Sequence, residues 1–91
     1  MKLFSLYDSV AEIYTKPFFI KSTPEAIREF TSEANNPQSK LYQHAQDFTV
    51  YEIGEYDEHT GEIQTCIPMK KICSVNELKK VQSIDDLKKE K

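Results

Sequence analysis

The stretch QDFTVYEIGEYDEHTGEI, residues 46–63, decides the fold of this 91-residue chain. Aromatic and β-branched residues recur from Phe48 to Tyr56, and this composition is typical of a strand. Gly54 inside the run indicates a bulge or a close backbone approach. We therefore predict a long strand with one irregular position.

A tight turn is predicted to follow this strand at residues 57–61. Asp57 can form an Asx turn, and Gly61 can adopt a positive φ. The returning strand is expected over Glu62 to Ile67, and Pro68 is expected to end it. The stretch is thus interpreted as a β-hairpin and not as an active site.

Two more strands are predicted upstream of the hairpin. The side chains of residues Lys2 to Tyr7 form two alternating rows, and both rows are partly apolar. This pattern is typical of a strand that is buried on one face and partly covered on the other. Phe18 to Ile20 is a short aromatic and β-branched run with Pro17 at its entry, which is typical of an edge or connecting strand. The segment between them, residues 8–16, stays ambiguous.

The clearest helix signal comes after these strands. Thr23 is the predicted N-cap, Pro24 suits the first helical position, and Glu25 lies where the helix dipole favours an acid. One apolar stripe runs along the helix, at Ile27, Phe30 and Ala34. Asn35-Asn36-Pro37 stops the helix, which is expected to pack on a sheet.

The remaining helical signals are weaker. Ser39 is a candidate N-cap for a short second helix through Leu41, Tyr42 and Ala45, but the stretch also fits a packed loop, and both alternatives stay open. Ser74-Val-Asn-Glu77 has the capping-box spacing, and Ser83-Ile-Asp-Asp86 offers a second cap. We therefore expect one or two short amphipathic helices near the C-terminus.

Together these elements predict an α+β fold, with a small mostly antiparallel sheet, one main helix packed on it and a short helical C-terminal tail. The length allows one modest core, which pairing into a dimer would help to stabilise. We divide the chain into an α+β core domain at residues 1–67 and a basic, partly helical tail at residues 68–91.

Charge separates along the chain. Residues 1–67 carry five basic and eleven acidic residues, a net charge of −6, whereas residues 68–91 carry seven lysines and four acids, a net charge of +3. The whole chain has a net charge of −3. An acidic protein binds a polyanion only if its positive charges are segregated, as they are here.

Signatures of enzymes, metals and cofactors are absent from the sequence. The two glycines are isolated, so no phosphate-binding loop is indicated, and His44 and His59 are interpreted as structural or solvated. Cys66 and Cys73 lack a matching Cys or His pair and are interpreted as reduced structural thiols. The acids of the hairpin lack calcium-loop spacing and are interpreted as a solvated turn, at Glu55, Asp57, Glu58 and Glu62. We therefore expect a non-enzymatic protein without a metal or cofactor.

Two groups of side chains fit nucleic acid. Lysines neutralise phosphates, and the candidates are Lys70, Lys71, Lys79, Lys80, Lys88 and Lys89. Aromatic rings stack on the bases of single strands, provided that two or three of the candidate rings share a sheet face, namely Tyr7, Tyr14, Tyr51 and Tyr56. Both groups also have ordinary interpretations, as solvated helix faces and as the rim of a core.

Several segments, in their order and spacing, resemble a known family over about residues 2–63. They are the opening strand with Tyr7-Asp8, Pro17-Phe18-Phe19, the helix Ala26-Ile27-Arg28-Glu29-Phe30, Asn36-Pro37-Gln38-Ser39, and Asp47-Phe48 running into residues 51–57 and Thr60-Gly61. The family resembled is the small non-structural protein of gokushovirus-type microviruses, which are small tailless phages with circular single-stranded DNA genomes.

The resemblance implies a phage early protein that acts in the host cytoplasm and is absent from the mature virion. It implies binding to DNA, with single strands favoured, and a role in turning replication from double-stranded intermediates to single-stranded genomes for packaging. Viral replication or capsid-assembly proteins are further implied partners. It supplies no catalytic residue. No stretch approaches the roughly 20 apolar residues of a membrane span, so a soluble protein that is not exported is expected.

Two hypotheses follow. In the first, the protein binds single-stranded DNA with steep salt dependence, and the binding is lost when residues 68–91 are removed. In the second, it is an interaction module that docks on a viral or host replication protein without contacting DNA. That docking would use the acidic body or an apolar stripe of the tail, formed by Val75, Leu78 and Val81.

Overall fold

The computed structural model describes residues 1–79. Within them, one antiparallel sheet is formed by β1 (Lys2–Asp8), β2 (Ile13–Tyr14), β3 (Phe18–Ile20), β4 (Phe48–Tyr56) and β5 (Ile63–Ser74). Between β3 and β4 lie helix α1 (Thr23–Ala34), helix α2 (Lys40–Gln43) and a 3-10 turn (Ala45–Asp47). A last helix, α3, begins at residue 75 and is described as far as residue 79. The predicted α+β class, with one main helix on a mostly antiparallel sheet, is confirmed.

Strand β1 lies inside the sheet. It pairs with β4 along one edge and with both β2 and β3 along the other, and β5 pairs with the far edge of β4. Thr15 fills the break between β2 and β3, because its Oγ1 accepts a hydrogen bond from the Leu6 N–H (3.0 Å). Its carbonyl oxygen also accepts one from Ser5 Oγ (2.9 Å). The ambiguous segment, residues 8–16, therefore contains a turn at residues 9–12 and then β2. Thr15 continues the pairing with β1 beyond the end of β2.

The hydrophobic core lies on one side of the sheet, which we call the covered face and define by Phe4, Leu6 and Val50. Phe4 is 0% and Val50 1% exposed. Helix α1 packs on this face with Phe30 and Ala34, as the predicted apolar stripe requires. Further members of the same cluster come from the connecting segments and from α3, and they include Leu41, Ala45, Val75 and Leu78.

Helix α1 begins one residue earlier than predicted. Its N-cap is Ser22, whose Oγ accepts a hydrogen bond from the Glu25 N–H (3.3 Å), and Thr23 is already helical. Pro24 therefore occupies the second helical position. This costs little, because the first four N–H groups of a helix have no partner inside the helix. The predicted assignment of Thr23 as the cap is wrong by one residue.

The predicted end of the hairpin at Pro68 is wrong as well. Strand β5 runs from Ile63 through Pro68 to Ser74, with a cis peptide bond between Ile67 and Pro68. The ladder to β4 shifts register there, so Pro68 lies in an irregular stretch of an edge strand, where a missing N–H is tolerated. Strand β5 thus crosses the predicted boundary between residues 67 and 68, while the division into two domains stays a prediction.

The predicted features of the hairpin itself are confirmed. The register of β4 shifts next to Gly54, and a Cβ placed there would lie 2.5 Å from the Gln64 carbonyl oxygen. Asp57 Oδ1 accepts a hydrogen bond from the His59 N–H (2.8 Å), which closes an Asx turn. Gly61 follows with a φ of 78°.

The structure contains the caps that the sequence indicated for α2 and α3. Ser39 caps α2, with its Oγ accepting from the Leu41 N–H (3.1 Å), so the helical alternative is correct there. Ser74 and Glu77 form the predicted capping box, in which the Glu77 N–H donates to Ser74 Oγ (3.2 Å). The cap predicted at residues 83–86 lies outside the described residues. None of the helices in residues 1–79 has the length and apolarity that crossing a membrane requires.

Candidate nucleic-acid interface

Three tyrosines from three strands meet on the side of the sheet opposite α1. Tyr7 of β1 pairs with Tyr14 of β2, and their ring centroids are 4.8 Å apart. Tyr51 of β4 also reaches Tyr14, with ring centroids 5.9 Å apart and planes at 70°. Tyr14 is 45% exposed, so this cluster presents aromatic surface to solvent.

A second aromatic pair lies on the same side of the sheet. The rings of Phe19 and Tyr56 meet edge to face with centroids 5.6 Å apart, and Phe19 is 50% exposed. The ladder pairs Leu3 with both Phe19 and Gly54, and Tyr56 follows Gly54 by two residues, which places all four on one face. We call this side the open face and define it by Tyr7, Tyr14, Phe19, Tyr51, Tyr56 and Lys71.

Lys71 supplies a positive charge on the open face. It pairs with Tyr51 in the ladder, and directly paired residues project to the same side of a sheet. Its neighbour Lys70 pairs with Glu52 and therefore projects to the covered side. The sequence prediction treated the two lysines as equivalent, whereas the register of β5 separates them.

The described strand positions of the open face carry no carboxylate. Among the strand residues of the described part of the chain, none that the ladder places on this face is Asp or Glu. Glu52 lies on the covered side, is 5% exposed and binds the Lys2 ammonium group (Nζ to Oε2, 3.2 Å). Carboxylates do lie at both ends of this face. Acids of the hairpin line a pocket together with Tyr56, and Glu77 Oε1 accepts a hydrogen bond from Ser74 Oγ (3.2 Å) at the other end. An anionic ligand would therefore be favoured at the middle of the face, beside Tyr51 and Lys71.

The predicted tail lysines fall into three groups. Lys70 and Lys71 lie in β5 on opposite sides of the sheet. Lys79 is half-buried and held against Tyr42, with its Nζ 3.9 Å from the centroid of the ring and donating to the Tyr42 carbonyl oxygen (3.1 Å). The remaining three, Lys80, Lys88 and Lys89, lie outside the described residues.

The sequence interpretation missed Phe19 as a member of this surface. Phe18 and Phe19 are adjacent, so in a strand one of the two must face away from the core. Phe18 meets Phe30 of α1 (centroids 5.4 Å apart), which leaves Phe19 on the open face. The pattern was present in the sequence, but a three-residue strand is too short to show which side each ring takes.

The apolar stripe predicted on the tail is not a free surface. Val75 is 0% and Leu78 6% exposed, and both belong to the hydrophobic core. Burial of these side chains removes the stripe as a docking site for a partner, so that part of the second hypothesis is wrong. Val81, its third member, lies outside the described residues.

The two cysteines are separate thiols and not a disulfide. Cys73 pairs with Val50, and its burial raises the pKa of the thiol above the ordinary value of 9.0, with a further increase from the Glu77 carboxylate. Cys66 Sγ lies 4.0 Å from Glu52 Oε2. Within residues 1–79, no three His, Cys, Asp or Glu side chains are grouped so that they could hold a metal ion.

These observations define a small α+β domain whose sheet has one covered face and one open, aromatic face. The family model of the phage ORF5 protein matches residues 1–78, and the chain belongs to this family of phage proteins. The match includes β5 and most of the described part of α3, beyond the residues that carried the resemblance seen in the sequence. No curated protein and no solved structure matches the chain.

Proposed function

We propose that this phage protein binds single-stranded DNA on the open face of its sheet. It does so without catalysing a reaction. By binding, it assists genome replication and the change to packaging of single strands. The virus is a gokushovirus-type microvirus, as the sequence resemblance implies, and the protein acts in the host cytoplasm as a dimer.

The observation that carries this proposal is the tyrosine cluster of Tyr7, Tyr14 and Tyr51 beside Lys71. Base–aromatic stacking contributes about 1–3 kcal/mol per base and tolerates any sequence, because every base has a π face. A lysine beside the rings supplies the positive charge that a phosphate requires. The absence of carboxylates from the ladder positions around this cluster supports DNA binding there despite the net charge of −3.

The first test compares two neighbouring residues on opposite faces. Tyr14 and Ile13 are adjacent in β2 and are 45% and 61% exposed. In an anisotropy titration of a labelled oligothymidylate at low salt, Tyr14→Ser is expected to weaken binding by roughly five- to 100-fold, since one stacking partner is lost. Ile13→Ser is expected to leave the affinity unchanged. Equal effects of the two variants would reject the open face as the site.

The second test separates Lys71 from Lys70 by their salt dependence. Removing one phosphate contact lowers the slope of log affinity against log salt by about 0.7 for a single strand. Lys71→Gln is expected to show this decrease, and Lys70→Gln a smaller one because it projects to the other side. A larger decrease for Lys70→Gln would contradict the assignment of the face.

The contribution of the tail is best tested by substitution. Removing residues 68–91 would also remove Val75 and Leu78 from the core, so lost binding would then report unfolding. The triple variant Lys80→Gln, Lys88→Gln, Lys89→Gln keeps the described core intact. If the tail lysines bind phosphates, this variant loses affinity and salt dependence while the effect of Tyr14→Ser persists.

A further inference from the structure

The aromatic side chains of the open face form two groups. Tyr14, with Tyr7 and Tyr51, lies at one end of β1, and Phe19, with Tyr56, lies at the other. The ladder partners of Tyr14 and Phe19 on β1 are Tyr7 and Leu3, four residues apart. At a rise of about 3.3 Å per residue, Tyr14 and Phe19 are therefore about 13 Å apart along β1, and Tyr51, which pairs with Ser5, lies between them.

The part of β1 between the ladder partners of Tyr14 and Phe19 is buried. Ser5 is 1% exposed and donates a hydrogen bond to the Thr15 carbonyl oxygen, and Leu3 is 4% exposed. Tyr14 and Phe19 themselves are 45% and 50% exposed. A ligand on this face would therefore contact the exposed rings and not the β1 side chains between them.

We propose that the open face contains two base-stacking stations that hold the same single strand. The first station is Tyr14 with its tyrosine partners, and the second is Phe19 with Tyr56. Stacked nucleotides advance about 3.4 Å each along one strand, so about four steps span the distance between Tyr14 and Phe19, and fewer suffice if the strand is extended. The shortest ligand that occupies both stations is therefore about three to five nucleotides long. This inference rests on the proposed function.

The two stations make a specific prediction about length. Oligothymidylates of two, three, four, five, six and eight nucleotides are titrated against the full chain at low salt. Wild-type protein is expected to gain roughly tenfold or more in affinity over the interval in which the strand first reaches the second station. In Phe19→Ser this step is lost, because the second station then lacks its more exposed ring. In Tyr14→Ser binding of the shortest ligands is weakened instead.

Val10→Ser serves as the control for loss of an exposed apolar side chain, since Val10 is 74% exposed in the turn after β1. It is expected to keep the wild-type length dependence. The inference is overturned if Phe19→Ser keeps the step, or if it lowers the affinity for all lengths equally while circular dichroism shows an intact fold. It is also overturned if Phe19→Ser changes only the oligomeric state, because the pair is then a protein contact. If the wild-type protein binds no oligonucleotide of any length, the proposed function itself fails, and this result is distinct from the other three.

Discussion

The two faces of the sheet are built from alternating residues of the same strands, yet they differ in almost every physical property. On the covered face, Phe4, Leu6 and Val50 lie under helices α1 and α3 and are at most 3% exposed. On the open face, Tyr14 and Phe19 are 45% and 50% exposed. In β1 and β4, one set of alternate residues thus supports the core, while the other set includes the rings of Tyr7, Tyr51 and Tyr56. That second set also includes Leu3 and Ser5, which are only 4% and 1% exposed.

This contrast separates stability from recognition. Burial of apolar surface on the covered face stabilises the fold, and exposed rings on the open face add much less to it. Contiguous exposed apolar patches promote aggregation, so exposed aromatic side chains without a binding function are unfavourable for a protein. The difference between the faces therefore supports a role in binding for the open one.

The largest effect expected is on the covered face. Phe4→Ala removes a ring that is 0% exposed and is expected to lower the free energy of unfolding by about 3–5 kcal/mol. Tyr14→Ser, on the open face, is expected to lower it by less than about 1 kcal/mol, as for an exposed residue outside the core. Urea unfolding followed by circular dichroism measures both. A loss for Tyr14→Ser as large as that for Phe4→Ala would show that the open face is part of a buried interface.

A smaller effect is expected at Gly54, an open-face position that tolerates no side chain. Gly54→Ala would place a methyl group against the Gln64 backbone, and we expect a loss of about 3 kcal/mol because backbone atoms must shift. Gly61→Asn is the matched control, since this glycine has open space around it and Asn tolerates a positive φ at a cost below about 1 kcal/mol. Thermal and urea unfolding of the two variants check the order. The interpretation fails if the two substitutions cost the same.

The smallest effect expected concerns the pH dependence at the edge of the covered face. Because burial and Glu77 raise the pKa of Cys73, the folded state retains a proton that the unfolded state releases above pH 9.0. The free energy of unfolding should therefore fall as the pH rises above that value, until the thiol of the folded state also ionises. Cys73→Ala lacks this contribution, so its unfolding free energy should fall less steeply between pH 8 and pH 10. Parallel curves for the two proteins would exclude a contribution from this thiol.

Much of the fold could be predicted from local sequence signals. Pro24 and Glu25 marked the start of α1, Asp57 and Gly61 marked the turn of the hairpin, and Ser74 with Glu77 marked the start of α3. These signals act within a few residues, so one chain segment suffices to interpret them. Tyr7, Tyr14 and Tyr51 meet the condition that two or three strand tyrosines share a face, but local signals could not decide this, because it depends on how their three strands pair.

The features that could not be predicted depend on pairing between distant segments. The register of β5 against β4 puts Lys71 on the open face and lets Pro68 remain inside the strand. The position of Lys79 depends on the ring of Tyr42, 37 residues away in the chain. A side-chain pattern does not reveal such registers, because a shift of one residue reverses the face of every side chain in the strand.

The placement of the tyrosines has an optical consequence. The chain has five tyrosines and no tryptophan, so its near-ultraviolet fluorescence comes from tyrosine alone. Tyr7, Tyr14, Tyr51 and Tyr56 belong to the open face, and only Tyr42 lies elsewhere, beneath the Lys79 ammonium group. The intrinsic tyrosine fluorescence of the unlabelled protein should therefore change when a ligand or another protein covers the open face.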